Sequence, residues 1–128
     1  MAVVMIGIDP HKASHTAFAV DPREAKLGQI RVRASSRQVD SLRTWATEWP
    51  DRVWAIEGAT GLGRLLAQQL LAAGEQVLDV QPKLAARVRL LNTGQVNKND
   101  PNDARSVAVA ALGAPHRRRS ASRTRPLR

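Results

Sequence analysis

The apolar period of this chain changes near residue 35, and that change limits the folds open to it. Before it come three strand-like segments. Val3 to Asp9 (VVMIGID) is a nearly unbroken apolar run ending in an acid, the pattern of a buried strand. Ser14 to Val20 (SHTAFAV) is a second, reached through the tight Asp9-Pro10-His11-Lys12 connection. After the turn-rich stretch Asp21 to Gly28, Gln29 to Ala34 (QIRVRA) alternates polar and apolar residues as a half-exposed strand does. Strands joined by such tight connections are expected to form an antiparallel meander.

Past residue 35, Val39, Leu42, Trp45, Ala46 and Trp49 fall at helical spacing, with Ser35 or Ser36 as the expected N-cap and Pro50 as the stop. Arg52 to Glu57 (RVWAIE) reads as a fourth strand and Gly58 to Gly61 as a loop. Leu62, Leu65, Leu66 and Leu70 are expected to line the next helix, with Gly74 at its C-cap. Gln76 to Val80 (QVLDV) is the fifth strand. Pro82 to Leu91 and Pro101 to about Leu112 are expected helices, separated by the polar loop Asn92 to Asn99. A meander followed by two crossovers requires an α/β architecture: a mixed five-stranded sheet, three strands in the meander and two parallel, flanked by helices. The length of 128 residues suits one domain, expected over residues 1–113, with a basic, disordered tail at 114–128.

Composition narrows the function classes. The absence of cysteine excludes a disulfide framework and any thiolate zinc or iron–sulfur site. No apolar run is long enough to span a bilayer, and the first residues lack the features of a signal peptide. No membrane partner and a cytoplasmic location are expected. The net charge of +9 favours a polyanion such as DNA or RNA. The charge is uneven, because six arginines and no acid lie from Arg117 to Arg128.

Four carboxylates stand out by position. Asp9 ends the first strand and Glu57 the fourth. If those strands are parallel neighbours, their C-terminal ends lie side by side, where open α/β sheets place ligands. Converging carboxylates repel, and a divalent cation removes that cost. Asp100 and Asp103 are three residues apart at the start of a helix, so they share a face that continues through Ala104, Val107, Ala108 and Ala111. Taken singly, these acids also have plain readings. Asp100 suits an N-cap, Asp103 suits the helix dipole, and Asp9 suits a turn before Pro10.

Three segments carry a resemblance: Gly7-Ile8-Asp9-Pro10-His11-Lys12, Ala55-Ile56-Glu57-Gly58-Ala59-Thr60-Gly61, and Asn97-Lys98-Asn99-Asp100-Pro101-Asn102-Asp103-Ala104. In order and spacing they resemble the acidic blocks of the DEDD-type transposases of bacterial insertion sequences. The resemblance covers about residues 3 to 112. It implies a ribonuclease-H-like (RuvC-like) fold, with Asp9, Glu57, Asp100 and Asp103 as a catalytic tetrad holding two Mg²⁺ or Mn²⁺ ions for strand cleavage and transfer. It also implies DNA as partner, a structured guide RNA, and a second domain carrying a serine, without which the enzyme is expected to be incomplete. A homo-oligomer is a further expectation. Lys12, Lys98, Arg105, Arg117, Arg118 and Arg119 are the expected phosphate-binding residues.

Other readings compete. A stand-alone junction-resolving nuclease and a non-catalytic nucleic-acid-binding remnant both fit the same pattern. An actin-like ATPase fits the strand order but not the GATGLG loop, Gly58 to Gly63, which lacks a Gly-Lys-Ser/Thr ending. His11 and His15 read as surface histidines. Trp45 and Trp49 read as core or interface residues.

Overall fold

Strand β1 (Val4–Pro10) is buried along its whole length, as its apolar run requires. It sits at the centre of the sheet. The computed structural model describes residues 3–81 and 100–113, with the side chains of all of these except residues 100–102. The sheet also contains β2 (Ser14–Val20), β3 (Lys26–Arg33), β4 (Arg52–Glu57) and β5 (Val77–Val80), in the order β3-β2-β1-β4-β5. β1 to β3 form the antiparallel meander, while β4 pairs parallel with both β1 and β5. Three helices are described: α1 (Gln38–Trp45), α2 (Arg64–Ala72) and α3 (Asp100–Gly113). The helix expected at Pro82 to Leu91, the loop Asn92 to Asn99 and the tail lie outside the described residues.

Strand alternation sorts the core into two layers. Val4, Ile6, Ile8, Trp54 and Ile56 face α1 and α2, packing on Val39, Leu42, Leu66 and Leu70. Met5, Phe18, Val20, Val53 and Ala55 face α3, packing on Ala104, Val107, Ala108 and Ala111. Each fully buried Leu, Ile or Val contributes about 1.5–3 kcal/mol. The α3 stripe is mostly alanine, so the helix lies close to the sheet. Gly7 sets that distance. A Cβ there would overlap the Ala104 carbonyl oxygen and fall 2.5 Å from the Ala108 nitrogen.

Several boundaries differ from expectation. β3 begins at Lys26, with a register shift at Ala19/Val20. Arg37, not Ser35 or Ser36, occupies the N-cap of α1 and makes no side-chain cap bond. Ser35 instead closes a turn before the helix: its Oγ accepts the Arg37 N–H and its carbonyl the Gln38 N–H. The helix passes into a 3₁₀ turn at Ala46–Glu48, and Trp49 leaves helical geometry at φ −117° and ψ 83°. Pro50 disfavours the α conformation for the residue before it. Leu62 and Leu65 do not line the core; they are 61% and 60% exposed. The helix starts only at Arg64, so its buried stripe is Leu66, Ala67 and Leu70.

Gly74 closes α2 as expected. Its φ of +88° supports a Schellman turn in which the Gly74 N–H donates to Leu71 O and the Glu75 N–H to Leu70 O, each at 3.0 Å. The turn delivers Glu75 to a buried position. There its carboxylate accepts from Trp54 Nε1 at 2.6 Å, Arg52 Nη2 at 2.8 Å and Arg43 Nε at 2.9 Å. Burial pushes the Glu75 carboxyl up, but the bonds from Arg52, Trp54 and Arg43 outweigh it and hold the group below its ordinary value. Glu75→Ala leaves Arg52 without its carboxylate partner and is expected to cost about 3–5 kcal/mol in chemical denaturation at pH 7. Because the folded-state value is lowered, this stabilisation is complete above the ordinary carboxylate range and fades as pH falls through the lowered value. The gap between wild type and variant should therefore narrow in acid.

Candidate metal centre

β1 and β4 are parallel neighbours with Ile8 opposite Ile56. Asp9 and Glu57 are each one residue further along, so they stand at one level at the C-terminal ends of two adjacent strands. Alternation puts both on the α3 side, after Gly7 and Ala55. Asp9 is only 6% exposed, and its Oδ2 lies 2.8 Å from Nε2 of the exposed His11. Glu57 is half-buried.

α3 brings the third acid. Ala104 lies directly over Gly7, two residues before Asp9 on the same face. Asp103, next to Ala104, is half-buried, with its Oδ1 shielded from solvent. Asp100 is the first residue of the helix, one turn before Ala104, as expected. Asp9, Glu57 and Asp103 thus belong to one face and one end of the sheet. Among the described residues, no three Asp, Glu or His side chains are gathered into a finished metal cage. The donor set still fits a hard divalent cation. It consists of carboxylate oxygens at one end of one sheet face, the ligand chemistry such a cation takes.

Thr16 pairs with Asp9 across β1 and β2 and was not singled out from the sequence. It is 3% exposed, and its Oγ1 is buried without a hydrogen-bond partner among the described residues. Counting alternate residues back from Phe18, which packs on α3, would have placed it on the acidic side.

The predicted cations are distributed differently. Lys12 is exposed in the β1–β2 turn. With His11, His15, Gln38 and Gln69 it lines a cleft of about 490 Å³ on the α1/α2 side. Arg105 extends instead toward the β2–β3 turn, where its Nη2 lies 3.6 Å from Glu24 Oε1. Lys98, Arg117, Arg118 and Arg119 lie outside the described residues. His15 is not a surface histidine. It is 4% exposed on the face of Ala17 and Ala19, with its Nε2 3.0 Å from Gln38 Oε1. Burial holds its pKa below the ordinary imidazole value despite the Gln38 bond, so it is uncharged at neutral pH. Trp45 and Trp49 stack edge-on at 5.0 Å, partly buried against the core as expected.

Three solved structures, of two proteins, share most of this architecture. Thermus thermophilus RuvC matches with a TM-score of 0.64 at 16% identity, covering 91% of this chain and 99% of that one. The same protein in complex with a Holliday junction substrate gives 0.63 at 15%, covering 85% and 92%. The large terminase nuclease of the thermophilic phage G20c gives 0.64 at 14%, covering 85% and 82%. The fold is ribonuclease-H-like, of the RuvC kind. Residues 6–126 match the family model of the IS110-type DEDD transposases, described as Transposase, and the chain belongs to that family. An insertion element IS116 protein of 44.8 kDa from Streptomyces clavuligerus is 32% identical over 108 residues. That match covers 84% of this chain and 27% of the relative, so the chain spans about a quarter of that protein's length.

Proposed function

We propose that residues 1–113 form the catalytic domain of a DNA transposase, performing metal-dependent phosphodiester cleavage and strand transfer during insertion-sequence transposition. The observation that carries this reading is the placement of Asp9 and Glu57 side by side at the ends of β1 and β4, on the face that α3 covers with Asp103. Asp9, Glu57, Asp100 and Asp103 would hold two Mg²⁺ or Mn²⁺ ions. When bound, such ions activate the attacking oxygen and stabilise the leaving one.

The chain's own residues supply the positioning. The parallel pairing of β1 and β4 fixes two carboxylates at one level, and Gly7 lets α3 approach closely enough to add the others. His11 orients the Asp9 carboxylate through its 2.8 Å contact. In this reading residues 114–128 add sequence-independent affinity for phosphates, and the protein works in the cytoplasm. A guide RNA and self-association rest on the family resemblance alone.

The test is cleavage of supercoiled and branched DNA by a transposase carrying this sequence. Nicks are expected with Mg²⁺ or Mn²⁺ and none in EDTA. Cutting that persists undiminished in EDTA would contradict the reading.

A further inference from the structure

The sheet register places more than acids at the level of Asp9. Asp9 pairs with Thr16 on β2, and Thr16 pairs with Arg31 on β3. One step toward the rim, Ser14 pairs with Arg33. Val32 is buried on the α1/α2 side, with Ile30 packed against the same layer, so Arg31 and Arg33 stand on the opposite side, the face that carries the acids. Both are exposed. α3 packs chiefly on β1 and β2.

We infer that Arg31 and Arg33 bind the phosphate backbone of DNA leaving the acidic centre across β2 and β3. The inference rests on the cleavage function proposed above and adds the direction in which the substrate lies. Two strand spacings of about 4.8 Å put Arg31 about 10 Å from Asp9. At about 3.4 Å per nucleotide along one strand, that is within about three nucleotides of the scissile phosphate. Arg31 and Arg33 are two residues apart on one face, so their guanidinium groups can reach neighbouring phosphates, and a guanidinium matches a phosphate in two-pronged fashion. The acids alone would repel the substrate on either side of any bound ions, and a cationic strip beside them removes that repulsion along one path. Between acids and cations, the buried Thr16 hydroxyl offers a donor that no described residue uses.

The experiment is fluorescence anisotropy of duplex DNA with the full chain, titrated at several salt concentrations in EDTA. Arg31→Ala/Arg33→Ala should lower the magnitude of the salt slope by about 1.8, at about 0.9 per lost phosphate contact. An opposite-side pair, Arg37→Ala/Arg64→Ala, removes the same charge from exposed sites and should leave the slope unchanged. An unchanged slope in the first variant, or an equal fall in both, would overturn the inference. So would an Arg31- and Arg33-dependent preference for duplex RNA over the same duplex of DNA. The readout is binding without metal, so a failure of cleavage, which would remove the proposed activity, is seen separately.

Discussion

Gly7→Val is expected to lose about 3 kcal/mol of stability or more, at the upper end of overpacking effects. Even a Cβ at this position meets backbone atoms, Ala104 O and Ala108 N, and not the flexible end of a side chain. No rotamer change relieves that overlap, so α3 must move away from β1. The movement should carry Asp103 away from Asp9, and strand cleavage should fall with stability. Chemical denaturation measures the first effect and a cleavage assay the second. Gly113→Ala is the control, because a Cβ there meets nothing within 4 Å. Its stability should be unchanged or slightly raised. A Gly7→Val protein as stable as wild type would mean that α3 does not rest on β1 as described.

On the proposed function, Asp9→Asn should abolish cleavage by a transposase carrying this sequence and leave the fold intact. Asparagine keeps the size of the side chain and an oxygen for the His11 contact at 2.8 Å, but loses the charge that attracts a divalent ion. Loss of even an outer partner of a metal ligand commonly costs about 10–100-fold, so loss of a ligand should cost at least about a hundredfold. Cleavage measured beside circular dichroism separates the two effects. Retained activity in a folded Asp9→Asn protein would remove Asp9 from the catalytic set.

Much of this arrangement was legible in the residue pattern. β2 and β4 fall where SHTAFAV and RVWAIE place them, because alternating or continuous apolar runs bounded by turns have few other solutions. The parallel pairing of β1 and β4 was only a supposition from the sequence; the register bears it out and brings Asp9 and Glu57 level. The α3 stripe of Ala104, Val107, Ala108 and Ala111 is buried as its spacing required. What escaped depends on contacts between distant segments. His15 looked like a surface residue because its partner, Gln38, is 23 residues away. Glu75 looked like an ordinary loop acid, yet Arg43, Arg52 and Trp54 converge on it from α1 and β4. Thr16 and Arg31 became part of the acidic row only once the register across three strands was known. Arg105 seemed near the acids in sequence, but the helix turns it toward Glu24.

The most direct measurement is a thermal scan of wild type and Asp9→Asn with and without Mg²⁺ or Mn²⁺. A ligand that binds only the folded state stabilises it by about 2.7 kcal/mol at a hundred times its dissociation constant. Wild type should therefore melt at a higher temperature in millimolar metal, and Asp9→Asn should lose most of that rise. Identical melting of wild type with and without either metal, or an equal rise in the variant, would contradict a metal centre at Asp9, Glu57, Asp100 and Asp103.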